Sequence, residues 1–204
     1  MVEERRIANK GAGLRKGLAK TVRVLTVPPV MIGGLFLWFY FATPMFRSVS
    51  ELLLAMLFLA VVPSLAYPLS LLLPKIRKKG REGQRKLAFV LSLVGYTGAM
   101  IYGAAVGVKL ELALVFLTYF LSVVILSVCN KLKFRASGHG CGVTGPLLLP
   151  AYYIHPLFLV AGGLVLALVY NSSLVLKRHT LRELLCGSGV AVLSFFLSLL
   201  LLSL

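Results

Sequence analysis

Long apolar runs constrain the fold of this chain more than any other feature. Runs of about 18 or more apolar residues predict transmembrane helices, since a helix satisfies its own backbone hydrogen bonds in lipid. Five stretches reach or approach this length, near residues 24–43, 51–73, 87–107, 111–129 and 184–203. The 59% hydrophobic composition agrees, because soluble domains average roughly 45–50%. The sequence therefore predicts an all-α integral membrane protein, a bundle of six to seven transmembrane helices.

Two shorter apolar stretches complete the predicted bundle. One runs from about 140 to 154 and contains Pro146 and Pro150; the other reaches Val169 or Tyr170. His155-Pro156 separates them as a turn, so they are predicted to cross out and back as a hairpin. We expect one transmembrane domain over residues 24–204. Residues 1–23 are predicted to be a basic cytoplasmic or interfacial segment, either an amphipathic helix on anionic lipid or a solvated tail.

The distribution of positive charge predicts the orientation of the bundle. The net charge is +16, from 22 basic and 6 acidic residues. Residues 1–23, 74–86, 130–135 and 177–182 carry all the lysines and arginines except Arg47 and Lys109. Because loops rich in Lys and Arg stay on the cytoplasmic side, the amino terminus and these loops are predicted to be cytoplasmic in the cell membrane. The basic charge does not indicate nucleic-acid binding, since no basic–aromatic module accompanies it.

Two segments at the ends of apolar runs carry histidines that are predicted to share this face. The first is Arg135-Ala-Ser-Gly-His139, and the second runs from Ser172-Ser173 through His179 to Glu183. The predicted hairpin returns the chain to the same side between them. His155 lies at the far turn, ~20–25 Å away at 1.5 Å per residue, and is excluded from the site.

The second segment predicts an activated histidine. If a helix includes His179 and Glu183, the two side chains are four residues apart and share a face. The carboxylate can then accept one ring N–H, which fixes the tautomer and makes the other nitrogen more nucleophilic. The competing interpretation is an interfacial histidine beside a helical Glu–Arg surface pair.

The first segment predicts an anion site at a helix amino terminus. Gly138 allows backbone N–H groups to approach an anion, and the helix dipole favours a phosphate there. Ser137 adds a hydroxyl donor, and the Arg135 guanidinium can bind phosphate oxygens with its fork of N–H groups. His139 could protonate a leaving oxygen. By itself, Ser-Gly-His is a weak motif.

Together the two segments resemble the second and third signature motifs of the type-2 phosphatidic acid phosphatase superfamily. The family patterns are Pro-Ser-Gly-His and Ser-Arg-x5-His-x3-Asp. This chain has Ala136-Ser137-Gly138-His139 and Ser172-Ser173-x5-His179-x3-Glu183, followed by the small residues Cys186-Gly187-Ser188-Gly189. The resemblance covers roughly residues 110–204, the expected catalytic core.

The resemblance implies roles for these residues. His179 would be the nucleophile, Glu183 would orient it, and His139 would protonate the leaving group. Ser137 and Gly138 would bind phosphate oxygens. The family's enzymes need no metal or other cofactor, which agrees with a chain that contains no Asp.

The chain departs from the family pattern at three further positions. Ser173 replaces the third motif's arginine, and Arg178 or Lys177 can substitute for it. Ala136 replaces proline. The first motif, Lys-x6-Arg-Pro, has two candidates: Lys78-x6-Arg85, followed by Lys86, or the shorter set Lys131, Lys133 and Arg135. The shorter set is favoured here, because Arg135 lies only four residues before His139.

These observations favour a metal-independent phosphatase acting on a lipid phosphate or polyprenyl (di)phosphate through a phosphohistidine at the cytoplasmic membrane face. Its expected partners are membrane lipids and its lipid substrate, with no nucleic acid. The alternative is a catalytically degenerate scaffold or transporter that retains the fold. Charged residues within spans would favour transport, and the predicted spans lack them beyond Glu51 and Glu111 at their first positions. A Mg²⁺-dependent prenyltransferase would need Asp-rich motifs.

Overall fold

The computed structural model describes the backbone of residues 2–203 and the side chains of residue 11 and residues 13–203. The side chains of Arg5, Arg6, Ile7 and Lys10, part of the predicted basic segment, lie outside this description. Over residues 2–203 the chain is helical and contains no strand. Five helical segments are long and apolar enough to cross a membrane: Val49–Leu72, Gly80–Val106, Leu110–Lys131, Phe158–Val175 and Leu181–Leu202. The prediction of an all-α membrane protein is confirmed at this level.

Eleven α-helices make up the described chain. They are α1 (Val2–Leu25), α2 (Pro28–Ala42), α3 (Val49–Met56), α4 (Val62–Ser64), α5 (Ala66–Leu72), α6 (Pro74–Lys78), α7 (Gly80–Val106), α8 (Leu110–Lys131), α9 (Gly138–Tyr153), α10 (Phe158–Val175) and α11 (Leu181–Leu202). The segment Gly13–Leu25 of α1 meets α2 at a bend of 55°, and together they give a sixth possible span. Helix α9 has 16 residues and is not among these spans.

The span Val49–Leu72 is interrupted where its sequence predicts a kink. A π-helical turn, Leu57–Val61, connects α3 to α4. Pro63 lies two residues after this turn. In a regular α-helix its ring would clash with the carbonyl four residues earlier, and it has no N–H to donate to that carbonyl. The wider π-helical turn accommodates the proline.

Two helix boundaries differ clearly from the sequence prediction. Helix α7 begins at Gly80, inside the predicted basic loop 74–86, and α10 continues past Tyr170. Residues 171–175, predicted to lie in a loop, form the last turn and a half of α10. The Ser172 hydroxyl donates to the carbonyl of Val169 at 2.8 Å, so this polar side chain is satisfied within the helix. The connection to α11 is therefore only residues 176–180.

Contacts between loops identify one end of the bundle. There, Arg47 donates to the carbonyl of Gly107 and Lys109 donates to the carbonyl of Pro44. The Tyr153 hydroxyl, at the end of α9, donates to the carbonyl of Glu111 at the same end. Helix α9 therefore runs the length of α8, from the end near Asn130 to the end near Glu111.

Close packing of α9 on α11 brings the two histidine segments together. The backbone N–H of Ser137 donates to the carbonyl of Glu183 at 2.8 Å. A Cβ atom at Gly187 would lie 2.2 Å from the Ser137 carbonyl oxygen, and one at Gly140 would lie 3.0 Å from the Leu184 carbonyl oxygen. Only glycine permits the approach at Gly187, and the amino-terminal ends of the two helices lie side by side as a result.

Candidate functional site

His179 is held by Glu183, as the sequence predicted. Nδ1 of the ring lies 3.2 Å from Oε2 of the carboxylate. With Nδ1 protonated, the ring donates to Glu183 and leaves Nε2 as the free, basic nitrogen. The pair thus has the arrangement of an oriented nucleophile.

The contact arises by a different local structure from the one expected. His179 precedes α11, whose N-cap residue is Thr180, so the two residues are not one turn apart within a helix. Glu183 is the third residue of α11 and forms a capping box with Thr180. Its Oε2 accepts the Thr180 N–H at 3.1 Å as well as the imidazole contact. The helix cap therefore fixes the carboxylate that orients His179.

Ser137 is the N-cap of α9 and is fully buried. Its hydroxyl oxygen accepts the N–H of Gly140 at 3.1 Å, which occupies the side chain with capping. The hydroxyl hydrogen can still donate to an anion, because the cap uses only the oxygen's acceptor capacity. Gly138 follows as the first residue of the helix, where backbone N–H groups are free of intrahelical partners.

His139 presents an unpartnered nitrogen. Its Nε2 is buried and has no hydrogen-bond partner among the described residues. Leaving such a group unpaired is costly, so this atom marks a place for a ligand with a polar atom. His139 and His179 are near enough for their charges to interact.

The surroundings of His179 keep its imidazole neutral. Burial lowers the pKa of His179, partly offset by its hydrogen bond to Glu183 and reinforced by repulsion from Arg23 and Arg85. A neutral imidazole that donates from Nδ1 keeps a free lone pair on Nε2.

Two arginines face the imidazoles, and neither is in the set that the sequence favoured. Arg23, near the end of α1, donates from Nη1 to Oγ of Ser173 at 3.3 Å. Arg85, on α7, donates from Nη2 to Oδ1 of Asn130 at 3.1 Å and to the carbonyl of Ala136 at 3.5 Å. The latter contact places its guanidinium beside the Ser-Gly-His segment.

The cations predicted from the sequence point elsewhere. Lys131, Arg135 and Arg178 are exposed, and no side-chain hydrogen bond from them occurs among the described residues. Arg135 acts on Glu82 and is not among the charges that shift His139 or His179. Arg178 lies near Arg23, at the rim of the site. The structure thus brings together His139, His179, Glu183, Ser137 and Gly138 of the predicted set, with Arg178 at the edge.

Of the two candidates for the first motif, the longer one contributes a single residue near the site, Arg85. Arg85 ends the Lys78-x6-Arg85 pattern, so its spacing was a usable signal. Arg23 had no such signal, because its partner Ser173 is 150 positions away. Lys78 is exposed.

A chain of hydroxyl groups supports the site from below. Tyr170 Oη lies 2.7 Å from Ser188 Oγ, which lies 2.7 Å from Thr144 Oγ1, and this atom lies 2.8 Å from the Gly140 carbonyl oxygen. The chain links α10, α11 and α9 directly beneath the histidines. The buried hydroxyl of Ser188, in the small-residue stretch after Glu183, is therefore hydrogen-bonded on both sides.

His155 lies apart from this site. It is exposed at the α9–α10 turn, where Nδ1 accepts the N–H of Leu157 at 3.2 Å. Among the described side chains, those of residue 11 and residues 13–203, no three of His, Cys, Asp or Glu are arranged to hold a metal ion.

Comparison with known proteins gives no relative: no protein-family model, curated protein or solved structure matches the chain. The functional argument therefore depends on the geometry of the site and on the motif resemblance.

Proposed function

We propose that this chain is a metal-independent phosphatase of lipid phosphates or polyprenyl (di)phosphates, a divergent member of the type-2 phosphatidic acid phosphatase superfamily. The observation that carries the proposal is the unpartnered, buried Nε2 of His139 beside an oriented His179, with Arg23 acting on both rings. Two imidazoles with guanidinium groups close by form a site suited to a phosphate ester.

The reaction follows from the positions of the side chains. Nε2 of His179 attacks phosphorus as the bond from phosphorus to the leaving oxygen breaks, and a phosphohistidine forms. His139, protonated in the presence of the substrate dianion, gives its proton to the leaving oxygen. Water then attacks the phosphohistidine, His139 accepts the water proton, and inorganic phosphate leaves. Ser137, Gly138 and the guanidinium groups hold the remaining oxygens, because phosphoryl transfer depends mainly on positioning and charge stabilisation.

An apolar groove supports a lipid substrate. It has a volume of about 250 Å³ and lies between α2, α9 and α10, with walls that include Met31, Trp38, Pro146, Leu147, Phe158 and Val165. His139 lies at the start of α9, Ser173 lies near the end of α10, and Arg23 lies near the end of α1, which leads into α2. Along α9 and α10 the groove begins seven or eight residues from His139 and Ser173, which is ~10–12 Å at the helical rise per residue. A hydrocarbon tail bound there would leave its headgroup at the histidines.

We further propose that the bundle has seven membrane segments and that the site faces the cytoplasm. Helix α9 is the seventh segment, and α9 and α10 form the out-and-back hairpin. The cytoplasmic assignment is supported by the lysine and arginine bias, since the basic segments meet at the site end and Arg47 and Lys109 lie at the other.

The test is phosphate release in detergent with EDTA from a panel of lipid monophosphates and diphosphates. Wild type should release phosphate and form an acid-labile phosphoenzyme. His179→Ala should abolish both, whereas His139→Ala should slow turnover, and His155→Ala should match wild type. Loss of activity in EDTA would contradict the mechanism. A folded wild type that is inactive on every substrate would favour a scaffold or transporter that keeps the phosphatase fold.

A further inference from the structure

The position of Arg23 is not explained by its role as one cation of a basic segment. The other described cations of α1, Arg15, Lys16 and Lys20, are exposed, whereas Arg23 is half-buried. Its guanidinium reaches across to α10 and donates to the hydroxyl of Ser173, which is fully buried. The two residues are 150 positions apart in the sequence, so only the packing of α1 on α10 brings the Arg23 side chain to Ser173.

The charges around Arg23 are nearly all of its own sign. Arg178 and Arg81 lie near enough to repel it, and its charge is near enough to act on the rings of both His139 and His179. Among the described residues the ion pairs are Glu82 with Lys86 and His179 with Glu183, and Arg23 takes part in neither. Burying a charge without a counter-ion is unfavourable, so the guanidinium is poised for an anion that arrives from outside the chain.

The contact with Ser173 relates Arg23 to the phosphate-binding arginine that the resemblance implies. Ser173 stands where the resemblance expects that arginine, and the Arg23 guanidinium reaches this position from another helix. A guanidinium presents a planar fork of donors that matches two phosphate oxygens.

We propose that Arg23, on α1, binds the phosphate oxygens of the substrate. It takes the place of the arginine that the resemblance expects at position 173. This inference rests on the proposed function and deepens it. Because Arg23 belongs to α1, the phosphate group also ties α1 to α10. Leu14, Leu18 and Leu25 on α1 are exposed, as expected of a helix that borders lipid. The lipid headgroup is therefore bound between α1 and the rest of the bundle.

The test moves the arginine between the two positions. The variants are Arg23→Gln, Ser173→Arg and the double variant Arg23→Gln/Ser173→Arg, with Lys20→Gln as the control that removes an exposed cation one turn earlier. Two quantities are measured in detergent: kcat/KM for a lipid phosphate that wild type hydrolyses, and the rise in melting temperature with orthovanadate or inorganic phosphate.

We expect Arg23→Gln to lower kcat/KM by about 100-fold, as loss of one fixed transition-state donor does, and to lose most of the stabilisation by orthovanadate. The double variant should recover at least about a tenth of wild-type activity, and Lys20→Gln should match wild type. The inference is overturned if Arg23→Gln matches Lys20→Gln in both measurements. It is also overturned if Arg23→Gln melts at the wild-type temperature and the double variant recovers neither activity nor orthovanadate binding.

The design separates the two proposals. A wild type that releases no phosphate from any lipid contradicts the proposed function, whereas the orthovanadate measurement still reports on Arg23. Should Arg23→Gln fail to fold, Arg23→Lys keeps the charge and loses the fork. It should bind orthovanadate more weakly than wild type, and equal binding would contradict the inference.

Discussion

Oε2 of Glu183 lies 3.2 Å from Nδ1 of His179 and 3.1 Å from the backbone nitrogen of Thr180. A single carboxylate oxygen thus completes the cap of α11 and orients the candidate nucleophile. The two roles have different chemical requirements. Capping needs an acceptor, whereas raising the basicity of an imidazole needs a negative charge. Substitutions at position 183 can therefore separate stability from catalysis.

Glu183→Gln should keep the fold and lose activity. Glutamine serves at the third helical position of a capping box, so the melting temperature should stay near that of wild type. The neutral amide cannot stabilise an imidazolium, and we expect kcat/KM to fall at least about 100-fold. Glu183→Ala should lose both, with a stability cost of about 0.5–2 kcal/mol for the weakened cap. Thermal unfolding and phosphate release measure the two effects, and a Gln variant that remains fully active would contradict the role of the charge.

Protonation of His179 should occur only at acid pH. Burial lowers the pKa of its imidazole below 6.5, so the ring should be half protonated only below that pH. NMR of the protein with ¹⁵N-labelled histidines measures this midpoint directly, and His179→Gln assigns the signal. A midpoint above pH 6.5 would contradict the assignment.

Gly187→Ala should separate α9 from α11. Its Cβ would meet the Ser137 carbonyl oxygen at 2.2 Å, where backbone and not a flexible side chain must move. We expect a loss of about 1–3 kcal/mol and a larger loss of activity, because Ser137 and His139 move together. Gly189→Ala is the matched control, since nothing lies within 4 Å of its added Cβ. Equal melting temperatures for the two variants would contradict the close packing.

Arg85→Gln should reduce activity more than Arg135→Gln does. Arg85 contacts the Ala136 carbonyl and repels a proton on His179, whereas Arg135 acts on Glu82. We expect Arg85→Gln to lower kcat/KM at least about tenfold and Arg135→Gln to change it by less. The reverse order would restore the shorter set of cations, Lys131, Lys133 and Arg135, as the binding group.

The parts of the fold and site that the sequence predicted are those with local patterns. Apolar runs located the long helices, and motif spacing located His139, His179 and Glu183. The cations near the site could not be chosen this way. Sequence proximity to His139 favoured Arg135, but the Arg135 side chain is exposed. Arg23 was hidden for a stronger reason: only the packing of α1 on α10 makes it a neighbour of Ser173. The Glu183 contact was predicted correctly, but the capping box that forms it belongs to a helix start two residues later than His179.

If α9 crosses the membrane as proposed, its 16-residue length bears on the membrane that suits this protein. At 1.5 Å per residue the helix is about 24 Å long, whereas a typical hydrocarbon layer is about 30 Å thick. Hydrophobic mismatch of this size is relieved by thinning of the surrounding lipid. The leaflet around the His155 turn is expected to dip toward the bilayer centre, and reconstitution into short-chain lipids should favour the assembled bundle over thick, sterol-rich bilayers.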